Sequence, residues 1–306
     1  MDWTKISRTA ALATTLASVV FCASASEISI HKDSRTQYSV VIEGTIQPGD
    51  FEKIHHALKK SGPFTTRLYL FSPGGDVQES IKIAELVRTL KLETIIPMGK
   101  GEINQSLDTI EYSESCPSSL GRPAPRSAEN CVCASACTIL WVSGIERNFG
   151  LLRVHRPKFS DQTFATLNPD EAERAYSEMS ANIDAVLSDY GFPEEGIQKM
   201  KSTPSYRAEK YRPFGVPTIV PYFDELLTAR CSSSPDKGEF SLLRIKKRQN
   251  RASDEELARL SSLEATAGKV EECRVIQTTA IQWTSFSNYF GVDYEAKVRS
   301  GELYGD

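Results

Sequence analysis

Arg67-Leu68-Tyr69-Leu70-Phe71-Ser72-Pro73-Gly74-Gly75-Asp76-Val77 is the stretch on which the fold turns. Apolar, strand-forming residues run into a Ser-Pro-Gly-Gly turn, and a helix follows at once over 77–90. Asp76 is its N-cap, and Val77, Ile81, Ala84, Leu86, Val87 and Leu90 line one side at helical spacing. A strand that feeds a helix through two glycines leaves backbone N–H groups unpaired at a sheet edge. Further on, Cys133-Ala134-Ser135-Ala136-Cys137 opens a second apolar helix over 135–143, and His155-Arg156-Pro157 lies twenty residues past Ser135. A serine between small residues at a helix start can expose its hydroxyl beside free backbone donors. The two segments therefore supply a candidate nucleophile (Ser135), general base (His155) and oxyanion site.

Around these segments the pattern alternates. Strands are expected at 28–31, 38–43, 67–71 and 93–98, with a helix at 50–60 after the Gly49-Asp50 cap signal. Strand, helix, strand, helix, strand from residue 38 argues for βαβ units and a largely parallel sheet. Residues 100–130, rich in Ser, Gly, Pro and Glu, break the periodicity and read as an inserted surface loop or flap. A strand at 151–155 and a long helix at 170–190, capped by Asn168-Pro169, resume it. Ser232-Ser233-Ser234-Pro235 marks a boundary. Beyond it, a polar helix around 253–266 and an aromatic tail at 283–294 read as a separate C-terminal extension.

Residues 1–25 read as a signal peptide. Lys5 and Arg8 precede a short apolar run, and Ala23-Ser24-Ala25 is a cleavage signal. Phe21 is too bulky to precede a lipidated Cys22, and no later stretch approaches the roughly twenty apolar residues of a membrane span. The balance of 36 Lys and Arg against 40 Asp and Glu carries no footprint for nucleic acid. The basic run at 244–251 is followed by Asp254-Glu255-Glu256 and reads as a solvated stretch. His55 and His56 read as an exposed helix face. Six cysteines remain beyond the leader: Cys116, Cys131, Cys133, Cys137, Cys231 and Cys273. In an exported chain an even number implies disulfides. Cys116 with Cys131 or Cys133, and Cys231 with Cys273, are the expected pairs. The Cys131-x-Cys133 spacing, with no histidine nearby, argues against zinc.

At 67–90 and 133–157 the chain resembles the ClpP/crotonase superfamily, and within it the ClpP-like serine proteases. The resemblance spans roughly 38–225 and implies an α/β fold, a ββα spiral of mostly parallel strands, with the C-terminal extension added. It divides the chain into a signal peptide at 1–25, a ClpP-like domain at 26–230 with the inserted loop 100–130, and an extension at 231–306. Residue by residue, Ser135 matches the nucleophile and His155 the base. Gly75 and Ala136 match the backbone donors of the oxyanion hole. The family places an acid near 201–207, where this chain has Lys201-Ser202-Thr203-Pro204-Ser205-Tyr206-Arg207. The nearest acids are Glu209 and Glu194-Glu195. The site is then a Ser–His dyad, one whose histidine is oriented by a hydroxyl or carbonyl, or an inactive one. A Ser–Lys dyad with Lys158 or Lys201, as in signal peptide peptidase A-like relatives, is the alternative base.

The implied activity is an exported, periplasmic or secreted serine peptidase that cleaves polypeptides through an acyl-enzyme. It needs no cofactor and no metal. The family's rings make a homo-oligomer an option, whereas its ATP-driven partner is not carried over to a compartment without ATP. A non-catalytic scaffold that binds peptides or a protein partner is the competing class. An acyl-CoA enzyme of the crotonase type fits neither the compartment nor a serine at 135.

Overall fold

The computed structural model describes residues 25–34, 37–104, 109–116, 123–127, 130–148, 150–159 and 165–302. The signal peptide expected at 1–25 lies outside them except for Ala25. In chain order the first elements are β1 (Glu27–Lys32), β2 (Tyr38–Glu43), α1 (Asp50–Ser61), β3 (Thr65–Phe71), α2 (Val77–Leu90) and β4 (Glu93–Ile95). Then come β5 (Met98–Asn104), β6 (Thr109–Ser115), α3 (Cys137–Ser143), β7 (Glu146–Arg147) and β8 (Leu152–Val154). After these follow α4 (Pro169–Asp189), α5 (Glu194–Ser202), β9 (Glu209–Tyr211), α6 (Pro221–Cys231), α7 (Lys237–Arg248), α8 (Asp254–Phe290) and α9 (Tyr294–Ser300).

The central sheet has the order β1-β2-β3-β4-β7. β1 runs antiparallel to β2, and the other neighbours are parallel. The fold is thus mixed α/β around a mostly parallel sheet, as the alternation of elements requires. Period-2 alternation sorts the strand residues. Val40, Ile42, Leu68 and Leu70 join the main core with residues of α1, α2 and α3. Val41, Tyr69 and Phe71 point the other way and pack with Ile95 and Cys116.

Three carboxylates, the half-buried Asp76 and the buried Glu79 and Asp50, fix the loops at the ends of β2 and β3. Asp76 caps α2 by accepting the Glu79 N–H at 2.7 Å. Glu79 Oε1 in turn accepts the N–H groups of Gly49 and Phe51, both at 2.8 Å. Gly49 has no side chain to cap α1, so a residue of α2 does it. Asp50 is fully buried and accepts from the Gln47 N–H at 2.8 Å, the Lys53 ammonium at 2.9 Å and the Ser26 hydroxyl.

Three expectations are corrected. Within the loop expected at 100–130, residues 100–104 and 109–115 are strand: β5 and β6 pair antiparallel with Met98 opposite Ser115 and Asn104 opposite Thr109. The Gly, Lys and Glu content of β5 hides its strand signal, because pairing across the hairpin supplies the regularity. The polar helix and the aromatic tail of the C-terminal region are one helix, α8, of 37 residues, roughly 55 Å long at 1.5 Å per residue. It begins with a capping box between Ser253 and Glu256. Its far end and the start of α9 enter the main core: Phe286 is 0% and Tyr294 1% exposed. Gln282 Nε2 donates to the Lys91 carbonyl at 2.6 Å, and the Tyr294 hydroxyl to that of Lys59 at 3.1 Å. Lastly, His56 is exposed as expected, but His55 is only half-exposed, with Phe51, Tyr289 and Phe290 beside it at ring centroids of 5.8, 5.8 and 5.0 Å.

Candidate active site

The two sequence segments meet. Beyond β3, Ser72 forms a parallel bridge to Cys133, and Ala134 one to Arg153, so the chain at 132–134 lies between the exit of β3 and β8. Four backbone bonds hold it there. The Ser72 N–H donates to Val132 O at 2.8 Å and the Ala134 N–H to Ser72 O at 3.0 Å. Arg153 N–H donates to Cys133 O, and Ser135 N–H to Arg153 O, each at 2.9 Å. β8 then pairs antiparallel with β9, Val154 opposite Glu209.

Ser135 sits at the turn between this extended segment and α3. Its φ is +53°, a left-handed backbone that few side chains adopt. The helix therefore begins at Cys137 rather than at Ser135, a correction that sequence periodicity could not supply. Ala134 and Ala136 on either side are buried, and Ser135 itself is partly exposed. Gly74, with φ +100°, closes over the turn. A Cβ there would lie 2.7 Å from the Ser135 Cβ, 2.7 Å from Ala134 O and 3.1 Å from Ala136 N. Gly75, with φ +144°, is pressed against Ile46, whose carbonyl oxygen would stand 2.1 Å from an added Cβ.

Backbone donors around Ser135 divide into used and free. Gly74 N–H donates to Ser72 Oγ at 3.1 Å, Asp76 N–H to Ile46 O at 2.9 Å, and Cys137 N–H to Ala134 O at 3.0 Å. The N–H groups of Gly75 and Ala136, the two expected oxyanion donors, have no acceptor among the described residues.

His155 follows β8 directly, two residues after the carbonyl that receives the Ser135 N–H. The base and nucleophile candidates thus lie on adjacent segments at one end of the ladder. The His155 Nδ1–H donates to the carbonyl of Arg156 at 2.8 Å. A carbonyl only accepts, so this contact selects the tautomer of the neutral ring with the proton on Nδ1 and the Nε2 lone pair left for a base. Arg156 N–H donates to Thr203 O at 2.9 Å, which fastens this turn to the segment where an acid was sought. Glu209 is ion-paired with Lys199 at 3.2 Å. Of the alternative bases, Lys201 donates to Asp184 at 2.6 Å, and that hydrogen bond raises its pKa further above the range of a useful base.

The six cysteines form Cys116–Cys131, Cys133–Cys137 and Cys231–Cys273. Cys131 is thus the partner of Cys116, the last pair is as expected, and the sulfurs at 131, 133 and 137 are spent in disulfides rather than offered to a metal. Cys116–Cys131 ties the hairpin β5–β6 to the residues leading into Cys133. Glu43 reinforces this attachment by accepting the N–H groups of Arg126 and Ser127 and the Asn130 side chain at 2.9 Å. Burial works to raise the Glu43 pKa, but these hydrogen bonds prevail and lower it. A wide groove of about 880 Å³ runs elsewhere, from Val275 along the last turns of α8 to Glu295 of α9, and takes in neither Ser135 nor His155.

Sequence reasoning missed three participants. Gly74, not only Gly75, has a dedicated place, because it is the glycine that touches the Ser135 turn. The Arg156 carbonyl as partner of the His155 ring carries no sequence signal. The Cys133–Cys137 bond around Ser135 was one of fifteen pairings. Compared with known proteins, the chain matches no family model and no curated protein sequence.

Proposed function

We propose that this chain is an exported, ClpP-like serine peptidase in which Ser135 is the nucleophile, His155 the general base, and the Gly75 and Ala136 N–H groups the oxyanion hole. The observation that carries the reading is the packing of Gly74 onto the Ser135 turn. It joins two segments that the sequence linked only by resemblance, and it supports the reading that the Gly75 and Ala136 donors serve a serine at a strand-to-helix turn. Three disulfides are consistent with an oxidising compartment, and the periplasm is the setting we infer.

The chemistry follows from the groups. His155 Nε2 takes the Ser135 proton as Oγ attacks the peptide carbonyl carbon. Oxyanion charge falls to the Gly75 and Ala136 N–H groups, each donor of this kind being worth about 3 kcal/mol. The imidazolium returns its proton to the leaving amine, and water then releases the acyl group with His155 again as base. A carbonyl at Nδ1 orients the ring but stabilises the imidazolium less than a carboxylate would, so turnover is expected to be slow.

That same contact favours the second reading, a scaffold that binds extended peptides without cleaving them. Labelling with a fluorophosphonate separates the two. Ser135 should be the modified residue in intact-protein and peptide mass spectra, and Ser135→Ala should abolish both labelling and hydrolysis of an unfolded polypeptide. A silent Ser135 in the folded, oxidised protein would leave the scaffold reading in its place.

A further inference from the structure

We infer that the Cys133–Cys137 disulfide positions the nucleophile: it closes a five-residue ring whose middle member is Ser135, and the reactivity of that serine depends on the ring being closed. The inference rests on the nucleophile reading above and adds a pair of positioning residues to it.

Four observations carry it. Both cysteines are 0% exposed, whereas Ser135 between them is partly exposed, so a buried bond presents a single accessible side chain. Each end of the ring is anchored to a different element. Cys133 lies in the ladder, bridged to Ser72 and accepting from Arg153, and Cys137 is the first residue of α3. The ring therefore sets the angle at which the extended segment enters the helix. Within it, Ser135 holds φ +53°, a conformation that persists only where the surroundings over-determine it. Finally, the ring is the smallest of the three, with a sequence separation of 4 against 15 and 42. Loop-closure stabilisation grows with ring size, so this is the bond least suited to holding the fold as a whole. Its distinctive effect is local, on the direction of the Ser135 hydroxyl and of the Ala136 N–H beside it.

Opening the ring takes two electrons and two protons from a dithiol, which becomes its own cyclic disulfide, and leaves thiols at 133 and 137. Freed from it, the turn can relax to a right-handed backbone at Ser135, and displacement of a reacting group by about 1 Å costs on the order of 100-fold in rate.

The test compares fluorophosphonate labelling of Ser135 in the oxidised wild type, in Cys133→Ala/Cys137→Ala and in Cys231→Ala/Cys273→Ala, with circular dichroism as the check on folding. The expected result is a loss of about 100-fold in the maximal labelling rate of the first double variant, at an unchanged half-saturating concentration. The second, which removes the largest ring, should label at the wild-type rate. Should the first variant not fold, graded reduction of the folded wild type replaces it. Labelled molecules should then carry no alkylated Cys133 or Cys137, whatever the state of Cys231 and Cys273. Labelling within threefold of wild type in the folded variant, or in molecules alkylated at 133 and 137, would overturn this inference alone. An unlabelled oxidised wild type would overturn the nucleophile reading and this inference with it.

Discussion

Adding one methyl group at Gly74 tests whether the two halves of the site touch. In Gly74→Ala the new Cβ would meet Ser135 Cβ and Ala134 O at 2.7 Å, with φ at +100°. A positive φ costs an alanine about 1–2 kcal/mol, and overpacking a filled site costs about 1–3 kcal/mol more. The stiffer unfolded chain returns about 0.4–1 kcal/mol. The net loss is therefore about 3 kcal/mol. Gly215 is the internal control: its φ is +81°, and nothing lies within 4 Å of an added Cβ. Gly215→Ala should keep only the backbone cost, about 1 kcal/mol after the same offset. Gly75→Ala should be the most damaging of the three, because Ile46 O at 2.1 Å is backbone and has no room to retreat. Denaturant unfolding of the oxidised proteins reads the differences directly, with unchanged slopes and shifted midpoints. Gly74→Ala should also slow Ser135 labelling, which Gly215→Ala should not. Equal midpoints for Gly74→Ala and Gly215→Ala would refute the contact and, with it, the central support for the proposed function.

Two further outcomes are expected. The Glu43 pKa is lower in the folded protein than its ordinary value, so its contribution is present above the unfolded pKa and is lost as pH falls through the folded one. Amide hydrogen exchange at Arg126 and Ser127 should accordingly be several-fold faster in Glu43→Gln than in wild type at neutral pH, and the difference should vanish once acid has protonated Glu43. At the other end of the chain, Tyr294→Ala should cost about 3–5 kcal/mol, as for a large aromatic removed from a core. Tyr294→Phe, which loses only the hydrogen bond to Lys59 O, should cost about 1 kcal/mol. Near-equal losses would mean that the ring contributes little packing.

The readable parts of this chain are those whose signals are local. β2 and α2 have the expected limits because Val40, Val41 and Ile42 form a buried strand core, and because Asp76 and the 3.6-residue period mark both the start and the face of the helix. What escaped is settled between distant residues. Glu79 accepts from Gly49, thirty positions earlier, to cap another helix, and no one-dimensional pattern announces a carboxylate working outside its own helix. In the hairpin, β5 hides its signal in Gly99, Lys100, Gly101 and Glu102, whereas Thr109, Ile110 and Tyr112 of β6 could have been read as a strand. A left-handed serine looks like any other serine in sequence; only the chain around it, with Gly74 above and a disulfide beneath, explains the conformation. The length of α8 could have been read, since no proline interrupts 254–290 and Gly268 is its sole glycine.

The return of the C-terminal region has a consequence for the order of events in folding. Lys59 O and the Tyr294 hydroxyl are partners across 235 positions, and Phe286 and Tyr294 fill the same core as the first βαβ units. A chain emerging from its N-terminus must therefore wait, with the end of α1 at Lys59 and Gly62 without the Tyr294 ring that packs on it, until residues 282–294 arrive. Contacts so far apart in sequence make closure of this core slow. The export proposed above is compatible with this delay, because a core that waits for residues 282–294 stays unsealed while the chain before them is translocated.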